Sequence, residues 1–485
     1  METKLGGPAA CEGTDRQVGP AGSRSDKRLR RASSFQKQTC MLEFAHLERR
    51  FDMESAWRSF LSLRDPTAQS GRSGHPVPAA AHSGKRPHVP SFNFQFSISN
   101  FQFAIVLLVL LAASPLAAAP PVKLEPPGPE SWPSFRNGDR QLGVATTKLP
   151  AKLEQLWVHK AGEKDGMIKS TAAIAGRRVY AASLNGEVFC LDLKTGKRQW
   201  TYQSQKPAKP DAFIPGFKAA VAVTADTVYI GDEEGMFHAI DRASGQGKWK
   251  FETAAEIVSC ASFYEDKVVF GSHDNSLYCL NAADGSKVWQ YMTQGMVNCS
   301  PAIVGDHTFV TGCDEHLRVI NLKTGLQETD MPLGIYLIAS PAVDDNMLYV
   351  GTHGNEVLAI DWKKSTRVWT YPGKAPYHSS AAVNDKYVVV GAQDKKLYCL
   401  DRKTGETVWI FSTKGHVDSS PVIVDNRVFV GSNDGNVYGI SLDKGWEVWR
   451  HTDGRPFTAS PAVGEGCLVI GSEANTGNIY CFGAK

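Results

Sequence analysis

Between Ser419 and Trp449 the chain reads SSPVIVDNRVFVGSNDGNVYGISLDKGWEVW, in which short runs of β-branched and aromatic residues alternate with polar breaks. The runs SPVIV, RVFVGS, NVYGIS and EVW predict four strands, and the breaks DN, NDG and DKG carry hairpin-turn chemistry. No sustained helical period interrupts the region. The pattern then repeats. Steps of 40 residues from Gly431 land on Gly231, Gly271, Thr311, Gly351, Gly391 and Gly471. One further copy lies upstream with Ala182 in that place, and the surplus before the next copy falls in the Pro-rich QKPAKPDAFIPGFK. Eight copies of a four-stranded unit predict an all-β fold, an eight-bladed β-propeller of antiparallel blades.

The edges of the pattern predict how the ring closes. Trp200, Trp249, Trp289, Trp369, Trp409 and Trp449 end the outer strands of their copies, where each can cover a neighbouring blade. The last copy stops before its fourth strand, while LEQLWVHK near Trp157 is an outer strand with no copy of its own. The N-terminal strand is therefore expected to complete the last blade and leave no sheet edge, whereas an open β-solenoid would need no such half-blade. In the fourth copy Thr329 stands where Trp is expected, and the following LGIYLI reads as compensating core or as a partner patch.

The chain before the repeats is of another kind. Residues 1–102 form a low-complexity basic extension, read as the product of a start site placed too early or as a cytoplasmic tail. Residues 103–119, FAIVLLVLLAASPLAAA, have the apolar core and small-residue end of a signal peptide, with cleavage expected after Ala119. Export to a periplasmic or extracellular location follows, with membrane attachment only if that segment stays uncleaved. Residues 120–150 read as a Pro-rich linker whose Trp132 and Phe135 dock on the side of the propeller of residues 151–485. After residue 119 there are 38 Lys and Arg against 41 Asp and Glu, which offers no electrostatic footprint for nucleic acid.

Two rings of equivalent residues are candidate sites. Lys169, Lys218, Val258, Asn298, Ile338, His378, Asp418 and Thr458 vary, each between an apolar and a small neighbour. Alternation along a strand assigns the fixed neighbours to blade packing and the variable residue to a channel mouth. Its polar members Lys169, Lys218, Asn298, His378, Asp418 and Thr458 are binding candidates, and the two lysines predict a place for an anionic group. The second ring, on hairpin turns, includes His273, Cys313 and His353. These are metal-ligand residue types, but a separation of roughly 9 Å between equivalent turns argues against coordination. Cys481 with Cys190 and Cys260 with Cys299 are the conceivable disulfides, although stacked sheets at about 10 Å favour free thiols. No G-x-S-x-G, H-E-x-x-H or P-loop motif is present.

The copies SPAVDDNMLYVGTHGNEVLAIDWKKSTRVW and SAAVNDKYVVVGAQDKKLYCLDRKTGETVW, with WPSFRNGDRQLG ahead of them, resemble the pyrroloquinoline-quinone (PQQ)-type β-propeller repeat family over residues 132–485. The resemblance implies one of two classes. Its quinoprotein dehydrogenases hold PQQ and calcium in the channel beside a vicinal Cys-Cys disulfide, and this sequence has neither that pair nor a C-x-x-C-H haem motif. Its non-catalytic members are similar to the β-propeller subunit of the outer-membrane protein assembly machine, a lipoprotein, whereas the signal here ends AAAP without a Cys. The expectation is a monomeric, non-catalytic exported scaffold without a cofactor. It would bind a protein partner or small anionic ligand at the channel face, and the alternative is a diverged PQQ-dependent dehydrogenase.

Overall fold

The computed structural model describes Leu124 and residues 128–162, 166–206 and 213–485. The basic extension, the signal segment and most of the first linker residues lie outside the described residues. Eight four-stranded antiparallel sheets form an eight-bladed β-propeller. The seventh blade is representative: an inner strand Val422–Val424, middle strands Arg427–Gly431 and Asn436–Ser441, and an outer strand Glu447–Thr452. The middle strands are buried almost throughout, while the outer strand alternates between exposed and half-buried positions. The eighth blade takes Ala462–Gly464, Cys467–Gly471 and Asn478–Gly483 from the C-terminus and Glu154–Lys160 from the N-terminal side. Trp157 stands opposite Cys481 in that pairing, so the ring closes between the two ends of the propeller sequence.

Inter-blade packing explains the 40-residue period. A Cβ on Gly231, Gly271, Gly391 or Gly471 would stand 2.2–2.5 Å from Ile257, Val297, Val417 or Ile168, the apolar residue that begins the next blade's approach to the channel. Glycine is needed there because the neighbouring side chain rests on its Cα. A second contact clamps the rim. The Nε1–H groups of Trp157, Trp200, Trp249, Trp289, Trp369 and Trp409 donate to carbonyls of the following blade at 2.6–3.1 Å. A bulge just before each of these residues, as between Ile440 and Gly439 opposite Glu447 and Trp449, leaves Val288, Val368, Val408 and Val448 partly exposed on the rim.

The fourth copy repairs its missing Trp from the neighbouring blade. Trp362 is only 7% exposed, and its ring packs against His307 and Phe309 of blade 4 with centroids 5.2 and 5.1 Å away. The LGIYLI stretch divides between both readings: Leu333 and Leu337 are buried, while Tyr336 and Ile338 remain 40% and 37% exposed.

The segment from Glu130 to Ala145 does not lie on the propeller side. It crosses one end of the channel, and its carbonyls accept from the inner strands of six blades and from the turn that follows the inner strand of the eighth. Trp132, Pro133, Asp139, Arg140, Leu142, Gly143 and Glu130 receive N–H groups from Ile174, Val223, Ile303, Val343, Val383, Ile423 and Glu465 at 2.7–2.9 Å. Gln141 reaches the remaining blade through Ser262 at 3.3 Å. The inner strands have no further strand to pair with on the channel side, so this plug satisfies N–H groups that would otherwise face the channel unpaired. Trp132 is fully buried within it.

Candidate functional site

Above the plug lies a cavity of about 320 Å³. All eight variable ring residues line it: Lys169, Lys218, Val258, Asn298, Ile338, His378, Asp418 and Thr458, with Phe135 of the plug among the other lining residues. Their apolar predecessors, from Ile168 to Phe457, are at most 1% exposed, and their small successors are also buried. Two residues further along each approach, a chain of hydroxyls forms the inner wall. The N–H groups of Cys260, Ser300, Ser340, Ser380 and Ser420 each donate to the serine Oγ of the next blade, 40 positions later, at 2.8–3.0 Å. These Ser residues thereby tie consecutive inner strands together around the cavity.

The two rings predicted from the repeat interlock. A mouth residue meets the turn residue 15 positions later in its own blade and, in several blades, the turn residue 25 positions earlier in the preceding one. Asn298 Oδ1 is 2.5 Å from His273 Nε2, and its Nδ2–H donates to Cys313 Sγ at 3.1 Å. His378 Nε2 is 3.2 Å from His353 Nδ1. Gln393 Nε2 lies 2.8 Å from His378 Nδ1 and donates to Asp418 at 3.2 Å, while Asn433 donates to the other Asp418 oxygen at 3.0 Å. Thr458 donates to Glu473. Val258 and Ile338 interrupt this belt.

The electrostatics differ from the expectation that the two lysines make a place for an anionic group. Lys218 Nζ lies 2.8 Å from Glu256 and 3.0 Å from Glu233, and Lys169 lies 3.6 Å from Glu473. Each lysine therefore already has a carboxylate, which removes the uncompensated positive charge on which an anion site would depend. Burial opposes the Lys218 charge, but the hydrogen bonds it donates to Glu256 and Glu233 outweigh that and hold the ammonium above its usual range. Burial lowers His378, partly offset by Asp418, and favours the neutral ring.

His273, Cys313 and His353 do not converge. His273 and Cys313 are bridged by Asn298, and His353 turns to His378. Among the described residues no group of three or more His, Cys, Asp or Glu could hold a metal ion. Cys190, Cys260, Cys299 and Cys481 are free thiols. The fit to a quinone and calcium can be tested on the lining itself. Calcium takes six to eight oxygen ligands at about 2.3–2.6 Å, whereas the cavity lining has one carboxylate, Asp418, already held by Gln393 and Asn433. This donor set does not fit a bound calcium ion.

Glu256 and the plug residue Phe135 belong to the site but to neither ring. Glu256 sits two residues before Val258, and the repeat does not single it out. Phe135 reaches the cavity because the plug crosses the channel.

Residues 152–251, 249–382 and 372–480 match the family described as outer membrane protein assembly factor BamB. This chain belongs to that PQQ-type β-propeller family. It is 33% identical over 111 residues to the outer membrane protein assembly factor BamB of Xanthomonas campestris, an alignment covering 22% of this chain and 27% of that protein. It is 27% identical over 157 residues to a quinoprotein ethanol dehydrogenase of Pseudomonas putida, covering 30% of this chain and 25% of the enzyme. The chain thus spans about a quarter of the length of these curated relatives. Among solved structures, BamB from Moraxella catarrhalis superimposes with a TM-score of 0.56 at 20% identity, over 69% of this chain and 98% of that one. A europium-containing methanol dehydrogenase gives 0.64 at 12% identity, over 74% and 98%. These structural likenesses establish the shared fold.

Proposed function

We propose that this chain is an exported, non-catalytic scaffold that holds a protein partner at its channel face, in the manner implied by the name of the BamB assembly factor it resembles. The observation that carries this reading is the interlocked belt. The polar side chains of the mouth hydrogen-bond to one another around the rim, with no convergence on a common point where a reacting atom could sit. A site that works by recognition needs such a held surface, while catalysis needs groups aimed at one centre. The pairing of Lys169 and Lys218 with glutamates favours a protein partner over a small anion. Export rests on residues 103–119, which lie outside the described residues, and on the relative's name. Among the described residues no helix is long and apolar enough to cross a membrane.

The rival reading, a diverged quinoprotein dehydrogenase, draws support from the matches to alcohol dehydrogenases. One pair of experiments separates the two. The full chain is titrated with PQQ plus calcium and followed by thermal shift and quinone absorbance, since a ligand that binds only the folded state must raise its Tm. A photo-crosslinking residue at Asn298 or Ile338 is then tested in living cells. The scaffold reading expects no saturable shift and a discrete protein adduct from the mouth; a saturable shift with retained quinone absorbance overturns it.

A further inference from the structure

The eighth blade carries a cysteine arrangement that no other blade has. Cys190, Cys279, Cys399 and Cys481 occupy one equivalent place on their third strands, opposite Tyr180, Val269, Val389 and Val469. Two residues before each of those partners, on the same face of the second strand, stand Arg178, Lys267 and Tyr387 in blades 1, 3 and 6, and Cys467 in blade 8. Cys467 and Cys481 are therefore diagonal neighbours on one face of an antiparallel pair, with their Cβ atoms closer together than their Cα atoms. The two thiols are close enough that each shifts the titration of the other. Cys467 Sγ also sits close above Gly483, two residues beyond Cys481, where an added Cβ would meet it at 3.3 Å.

The surroundings give the pair a route to solvent and a structural lever. Cys467 lines a groove of about 730 Å³ together with Leu156, Arg177, Lys194 and Glu465. Cys481 faces the closing strand directly opposite Trp157. Its Sγ lies 3.8 Å from the Leu193 carbonyl, the same oxygen that accepts the Trp157 Nε1–H at 2.8 Å. The pair thus lies under the contact that joins the last blade to the first.

We propose that Cys467 and Cys481 form a reversible disulfide within the closing blade, made by exchange with a small disulfide oxidant that enters through the groove. The Cys467 thiolate attacks one sulfur of the oxidant, forming a mixed disulfide and expelling one thiol. The Cys481 thiolate then attacks the Cys467 sulfur and expels the second. Two protein thiols are oxidised by two electrons, the oxidant's disulfide is reduced to two thiols, and the two protons leave the cysteines for those products. The order follows from the environment. Hydrogen bonding from Cys481 holds the Cys467 thiol below its usual range, and the same contact with burial pushes Cys481 up. Cys467 is also the groove-lining thiol of the two.

The test uses the full chain, incubated with oxidised glutathione and then alkylated. Both cysteines fall in one tryptic peptide, His451–Lys485, because Arg455 precedes Pro456. The proposal expects that peptide to be lighter by two hydrogens and unalkylated, with both thiols restored by dithiothreitol. Reduction should lower the Tm of the oxidised wild type by several degrees and leave Cys467→Ser unchanged. Alkylation of both thiols after oxidant, glutathione retained on Cys467 without a bridge, or a bridge to another cysteine such as Cys190 would each overturn it. The peptide mass of the wild type decides the question even if the variant folds poorly.

Discussion

The indole of Trp289 lies on the backbone of Gly325, whose added Cβ would stand 2.6 Å from Trp289 Cγ, and Gly325 has φ +70°. Trp157, Trp200, Trp249, Trp369 and Trp409 rest in the same way on Gly196, Gly245, Gly285, Gly405 and Gly445. Gly325→Ala should therefore cost about 2–4 kcal/mol, combining a left-handed backbone that Ala resists with displacement of the ring. Urea unfolding of the variant checks this, and an unchanged midpoint would show that the indole does not depend on that glycine.

The exception tests the same rule. Blade 4 has Thr329 for Trp, and the facing position is Ser365 where the others have Gly. Both partners of the contact are lost together, and Trp362 fills the space. Trp362→Ala should cost about 3–5 kcal/mol by leaving a cavity at this seam. Thr329→Trp should destabilise the wild type, whose slot is occupied, yet be tolerated when combined with Trp362→Leu and Ser365→Gly. Coupling between the substitutions, measured by a mutant cycle in urea, is the deciding quantity.

These contacts also show what the sequence could reveal. Blade number, strand order and closure through Trp157 were legible because a 40-residue step places chemically matched residues in register. The mouth ring was legible for the same reason, since each variable residue lies between a fixed apolar and a fixed small neighbour. The plug was not. Its residues Glu130 to Gly143 bind mostly through backbone carbonyls, apart from the side chain of Gln141, and a carbonyl contact leaves no side-chain signature to separate them from a Pro-rich linker. The pairing of Lys218 with Glu256 was also hidden, because Glu256 belongs to neither ring.

The plug supplies a prediction of its own. Trp132 is fully buried and lies in a segment bonded to all eight blades. Trp132→Ala should cost about 3–5 kcal/mol. It should also speed amide hydrogen exchange at Ile174, which exchanges both backbone hydrogen bonds with Trp132 at 2.8 Å. Exchange at the inner strands unaffected by the substitution would mean that the plug is only loosely applied.

The belt at the mouth is expected to matter more for recognition than for stability. Lys218→Met removes an ammonium that is 40% exposed and paired with two glutamates, so its cost should stay near 0.5–1 kcal/mol. The same change leaves Glu233 and Glu256 without their cation and turns this sector of the mouth acidic. If the mouth holds a partner, cross-links from Asn298 should fall while the Tm changes little. Equal losses in both would mark Lys218 as structural.

Acid should weaken the fold through its histidines. His159, His238, His378 and His451 are all lowered from the ordinary value, in each case chiefly by burial. His238 is the extreme case, fully buried with Nε2 2.9 Å from Asp232 and Nδ1 3.0 Å from the Tyr202 hydroxyl. A histidine whose folded value lies below its unfolded value of about 6.5 binds its proton more readily in the unfolded chain. Its contribution is complete above that pH and is lost as the pH falls through the window below it. Thermal midpoints measured from pH 8 to pH 5 should hold steady to about 6.5 and then decline. His238→Gln, which cannot take up a proton, should start lower at pH 8 and decline less steeply. A decline of unchanged slope would assign the acid sensitivity to the other three histidines or to the carboxylates.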